Sequence, residues 1–277
     1  TTMSIDELDV RGTMYLEGIT ATVSATTTIS SGGLLRLATS TTGTKTFSGP
    51  VVINSGGRWE NTINEAVTLK GGITANGSFQ SGTGTYTFST STVAQTLSAS
   101  SSLIFAGGLT ASGGVVVNNN ASTTVSGAFS ASGTGTLWVN ATSSALTLGG
   151  ATTCSTAVCN LTAENNWVIY SGASQTISGI TYRNLRLAGT GTYFNGANYT
   201  VNGDFYLDSG TFNINTAIDL TFNGSMYISS ALSTLSTSGD FLVNGTVDVM
   251  SGGTLTLGGN ASNTNTFNAT TTINSGG

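Results

Sequence analysis

A ten-residue phrase recurs along this chain at strand spacing: apolar, Asn or Ser, Gly, any, apolar, any, apolar, any, Ser, Gly. Tight copies begin at Val201 (VNGDFYLDSG), Phe222 (FNGSMYISSA) and Val243 (VNGTVDVMSG), a constant step in sequence number. Looser copies begin at Val10, Phe47, Val125 and Phe267. A fixed period of this size means one structural unit stacked on itself. Phe205, Met226 and Val247 then fall in one column, and Leu207, Ile228 and Val249 in another. The two positions are two residues apart, so both lie on the same face of a strand. If each turn lies on the one before, these residues stack about 4.8 Å apart and fill a continuous interior. An antiparallel meander has no need of a constant period.

The Asn-Gly pair in each copy fits the same picture. Asn202, Asn223 and Asn244 form a column, with Gly203, Gly224 and Gly245 beside it. Stacked Asn amides hydrogen-bond along such an axis. The glycines are expected to turn a corner at positive φ.

Composition agrees. The 277 residues include 51 Thr, 36 Ser and 38 Gly, with one Pro and no His. Such polarity suggests disorder, yet 38% of residues are hydrophobic and many alternate with Ser, Thr or Asn, while charged residues make up only 7%. Disordered chains carry the opposite balance. Thr, Val, Ile and Tyr favour strands, and Gly and Asn favour tight turns. The expected fold is all-β: a single-stranded parallel β-helix, or β-solenoid, of about 21 residues per coil in its regular part. It is expected to be right-handed and to form one domain over 1–277, with 1–10 as an N-terminal cap or donor strand and 150–160 as a loop insertion.

Net charge is −5, with seven Lys and Arg in all. No basic patch exists to neutralise phosphates, so nucleic acid is not an expected partner. No run of about 18 apolar residues marks a membrane-spanning helix. The opening TTMSIDELDV lacks the basic start and apolar core of a signal peptide. Cys154 and Cys159 read as a disulfide pinning a local loop, which implies an oxidising compartment. A zinc or redox site lacks a second Cys pair and any His to complete it. A free thiol pair is the third reading.

The segment SQTISGITYRNLRLAGTGTYFNGANYTVNGDFYLDSG (174–210) resembles the repeats of bacterial cell-surface β-solenoid proteins of the adhesin and autotransporter-passenger type. The likeness is one of repeat style and runs from about residue 10 onward. It implies export, a right-handed β-helix and a display or attachment role, and it transfers no catalytic residue.

Chemistry is sparse. Enzymes built on β-helices need clustered carboxylates with Arg, Lys or calcium. The best pair is Asp219 and Asp240, one full repeat apart and so stacked, but two solvated turn residues are the preferred reading. Nucleophile systems that rely on His are excluded by its absence. Thr-x-Thr steps such as Thr44/Thr46 and Thr85/Thr87 suggest the flat Thr ranks of some ice-binding solenoids, yet they do not recur with the period of the phrase. Tyr15, Tyr206 and Tyr227 share the sixth position of the phrase, facing opposite to the core pair. An outward aromatic column stacks on sugar rings or buries against a partner subunit.

The expected function is therefore structural and non-enzymatic, with no cofactor or metal: an extracellular, cell-surface filament subunit or adhesin stalk, associating head to tail through solenoid ends. Surface glycans are the other partner class considered. A polysaccharide-binding or polysaccharide-cleaving β-helix is the first alternative and an ice-binding solenoid the second.

Overall fold

The computed structural model describes residues 1–38, 42–90, 93–214, 218–229, 233–237, 239–257 and 264–275. Among these residues there is no helix, and the strands pair in parallel with strands one coil away. This is a β-solenoid. The chain divides into two compact units, Thr1–Ser144 and Ala145–Gly277.

In the first unit three strands make a coil. One sheet carries Thr2–Ile5, Thr20–Val23, Lys45–Phe47, Val67–Leu69, Tyr86–Phe88, Leu109–Ala111 and Phe129–Ala131 in that order. A second runs from Leu8–Val10 through Thr27–Ile29, Val51–Ile53 and onward to Leu137–Asn140. A third holds Thr13–Tyr15, Leu34–Ala38, Arg58–Asn61 and Ser78–Gln80. Residues 1–10 thus form two ordinary parallel strands, paired with Thr20–Val23 and Thr27–Ile29. The sequence step between partners in the first sheet is not constant. It is shortest from Thr2 to Thr20 and from Val67 to Tyr86, and longest from Ala21 to Lys45. The extra or missing residues are taken up between strands, so register holds although coil length does not.

The second unit has the same plan. One sheet runs Ala145–Leu148, Trp167–Tyr170, Asn184–Leu187, Phe205–Leu207, Met226–Ile228, Val247–Val249 and Thr271–Ile273. The others are built from Gln175–Ile177 through Thr254–Leu257 and from Thr181–Tyr182 through Asn265–Phe267. Val201 pairs with Phe222 and Phe222 with Val243, at the step of the phrase itself. Residues 150–160 hold two short strands, Thr152–Thr153 and Cys159–Asn160, on either side of a tight turn in which Cys159 N–H donates to Ser155 O at 2.8 Å. Cys154 and Cys159 are joined as a disulfide, with their Cα atoms 6.0 Å apart.

Three-residue strands such as Val51–Ile53, Phe205–Leu207 and Met226–Ile228 bury their first and third side chains and turn the middle one outward, as the pleat requires. Full burial of one such Val, Leu, Ile or Phe contributes about 1.5–3 kcal/mol before entropy is counted. The interior is also polar in places. In the first unit Lys45 takes an inward position between Ala21 and Val67. It is fully buried with Glu65, Nζ to Oε1 at 2.7 Å. The ammonium also donates to Ile19 O at 2.6 Å and Gly43 O at 2.8 Å. All three of its donors are used, which is the condition for tolerating a buried charge.

Candidate functional site: the outward columns

Outward side chains are the only ones available to a partner, so their columns are the candidate site. Phe205, Met226 and Val247 are register partners, as are Leu207, Ile228 and Val249. All six are at most 1% exposed. The middle residues between them, Tyr206, Tyr227 and Asp248, form the outer column.

That aromatic column is self-contained. The rings of Tyr206 and Tyr227 stack with centroids 4.4 Å apart and planes 21° apart. Arg186, one coil earlier, places its guanidinium 6.0 Å from the Tyr206 centroid and pairs with Asp208. Trp167 meets Tyr206 edge to face at 5.6 Å. The faces of Tyr206 are therefore directed along the column, toward Tyr227 and Arg186. A sugar platform needs a ring face turned outward. Desolvation, then the neighbouring Tyr227, raises the Tyr206 phenol above its ordinary pKa. Tyr15 is not brought to this column. It lies in the first unit, in register with Arg36, whose guanidinium is 5.4 Å from its ring. Arg36 in turn pairs with Glu60 through Nε at 2.9 Å and Nη2 at 2.7 Å, and Arg58 pairs with the same carboxylate.

The asparagine column is a hydrogen-bonded ladder. Asn223 Nδ2 donates to Asn202 Oδ1 at 3.2 Å and Asn244 Nδ2 to Asn223 Oδ1 at 2.8 Å. Asn268, the second residue of the looser copy at Phe267, adds a third rung to Asn244 at 2.8 Å. A parallel chain of bonds runs beside it: Asp204 N–H donates to Asn184 Oδ1, Ser225 N–H to Asp204 Oδ1, and Thr246 Oγ1–H to Ser225 Oγ.

The adjacent glycines correct one expectation. None of Gly203, Gly224 and Gly245 has positive φ. What excludes a side chain is proximity. A Cβ on Gly224 meets Gly203 O, one on Gly245 meets Gly224 O, and one on Gly203 meets the Asn184 amide oxygen. These glycines let one coil lie directly on the next.

Asp219 and Asp240 occupy adjacent positions, immediately before the paired residues Leu220 and Phe241. Each sits in a rung that ties coils together. Asp219 N–H donates to Asn198 Oδ1 at 3.0 Å, and Thr264 N–H to Asp240 Oδ1 at 2.7 Å. Asp219 also borders a shallow groove of about 290 Å³ with Thr181, Thr200 and Thr221. Among the described residues no three His, Cys, Asp or Glu side chains cluster as a metal site would require.

Counting along the sequence missed one outer column. On the first sheet of the first unit, Thr22, Thr46, Thr68, Thr87 and Thr110 are consecutive register partners. The unequal steps between them hide the alignment from any search at a single period. The detectable signal was local: each Thr is the centre of a strand triplet whose flanks are apolar, apart from Lys45 before Thr46.

Compared with known proteins, the chain matches no family model, no curated protein and no solved structure.

Proposed function

We propose that this chain is a stiff structural segment of an extracellular surface protein, a stalk or filament subunit whose work is mechanical. The observation that supports this most is how outward polar groups are used. The Asn202–Asn268 ladder, the Asn184–Asp204–Ser225–Thr246 chain and the Arg186–Tyr206–Tyr227 stack all join one coil to the next. Side chains so engaged add to the backbone ladder along the stacking direction. Load is then shared over many bonds of about 0.5–1.5 kcal/mol each. The Cys154–Cys159 disulfide fits an oxidising, extracellular setting.

Head-to-tail association through coil ends belongs to the same reading. An end strand offers unpaired backbone groups to a second copy.

The test is force spectroscopy on the full chain tethered at both ends. The reading expects extension in discrete steps of one or a few coils at forces well above those of an unstructured polymer. Smooth extension along a random-coil curve refutes it. Sedimentation over a range of concentrations tests association separately, and a monomer at every concentration refutes the head-to-tail part alone.

A further inference from the structure

The hydroxyl face of the first unit is used differently from the ladders of the second. Among the described residues, Thr22, Thr46, Thr68, Thr87 and Thr110 form no side-chain hydrogen bond to another group of the protein, and each is half-exposed. The ladder continues beyond each three-residue strand. Backbone bonds from Ser48 N–H to Val23 O, Ser89 N–H to Leu69 O and Ser112 N–H to Phe88 O carry it one residue further, to positions two residues from each threonine. On the other side, Ala21 N–H donates to Thr44 O and Val67 N–H to Thr85 O. The outer surface is therefore a two-dimensional array, with a serine-rich column on one side of the threonines and a second, Thr-containing column on the other. Its repeat is about 4.8 Å across strands and about 6.8 Å along them. Lys70 is the one charged residue among the described members of these columns from Thr20 to Ser132.

We infer that this face binds ice. The occupant follows from the chemistry. A regular grid of unbonded hydroxyls, with Lys70 in one flanking column as its one charge among the described members, matches a partner that is itself a periodic grid of hydrogen-bonding oxygens. Each hydroxyl is both donor and acceptor and so holds a water without imposing a direction on it. The methyl beside each threonine hydroxyl excludes disordered water between those sites. Threonine χ1 is restricted on a strand, so the grid is ordered before it meets the crystal and little entropy is lost on contact. A soluble ligand of irregular shape gains nothing from such periodicity. The inference does not rest on the mechanical reading: a stalk without ice affinity and an ice binder without tensile strength are both distinguishable outcomes.

The experiment measures freezing hysteresis and inhibition of ice recrystallisation with the full chain. Three proteins are compared: the wild type, the double variant Thr46→Tyr/Thr87→Tyr, and a control, Thr200→Tyr/Thr221→Tyr, on an outward column of the second unit. Tyrosine favours strands, and circular dichroism checks that each variant is folded. The inference expects faceted crystals and a hysteresis gap for wild type and control, with both lost to buffer level in T46Y/T87Y. It is overturned if the wild type freezes like buffer, if T46Y/T87Y retains the full gap, or if the control loses it equally. The wild-type measurement decides by itself should T46Y/T87Y fail to fold.

Discussion

Replacing Gly224 separates two explanations for the glycine in the Asn-Gly pair. The backbone there lies outside the left-handed region, and a Cβ is directed at the carbonyl oxygen of Gly203 one coil below. Alanine forces the coils apart locally, against backbone bonds on both sides: Gly224 N–H donates to Gly203 O at 3.1 Å, and Met226 N–H to Thr246 O at 2.8 Å. Overpacking of this kind costs about 1–3 kcal/mol. Asparagine carries the same Cβ and more bulk, so Gly224→Asn is expected to cost at least as much as Gly224→Ala. Gly32 gives the contrast, with φ of +78° and nothing within 4 Å of an added Cβ. There the cost is conformational, about 1–2 kcal/mol for alanine and less for asparagine, which enters the left-handed region more readily. Urea and thermal unfolding of the full chain, followed by circular dichroism, reads all four variants. A loss of about 2 kcal/mol lowers the melting temperature by roughly 4–8 °C in a domain of about 150–250 residues. The reasoning is refuted if Gly224→Asn is milder than Gly224→Ala, the order expected at Gly32.

The other predictions concern the interior and the loop. Lys45→Met leaves the buried Glu65 carboxylate with Gly43 N–H as its remaining donor and should cost about 3–5 kcal/mol; the double change Lys45→Met/Glu65→Leu should cost less, as urea unfolding will show. Reducing Cys154–Cys159 opens a short loop, worth about 2 kcal/mol of local constraint, so dithiothreitol should speed proteolysis within 150–160 while the dichroism spectrum is kept. Desolvation raises the phenols of Tyr86, Tyr170, Tyr182 and Tyr199 above their ordinary value. The folded state therefore favours the neutral form, and its contribution is fully present below the unfolded pKa of about 10 and lost as pH rises above it. Stability measured by urea midpoint should fall steeply in that alkaline range, with the tyrosinate absorbance of these four buried phenols appearing together with unfolding rather than before it.

The sequence by itself determined the fold class and the register wherever coils have equal length. From Val201 to Val249 the step is constant in the two sheets that carry the phrase, so counting placed Phe205 on Met226 on Val247 and Asn202 beside Asn223 and Asn244. Counting works there because a strand repeats at the sheet spacing and equal turns add no offset. Only the tertiary structure decided the rest. In the first unit the step varies from coil to coil, and turns of different length absorb the difference, so the threonines from Thr22 to Thr110 come into line with no constant period to announce them. Ring orientation was equally hidden. Position in the phrase assigns Tyr206 and Tyr227 a shared outward place, but whether their faces meet each other or the solvent depends on side-chain torsions and on Arg186 one coil away. For the glycines, residue type was legible but its cause was not, because positive φ and close approach both demand the loss of a Cβ. They are told apart only by how near the next coil lies.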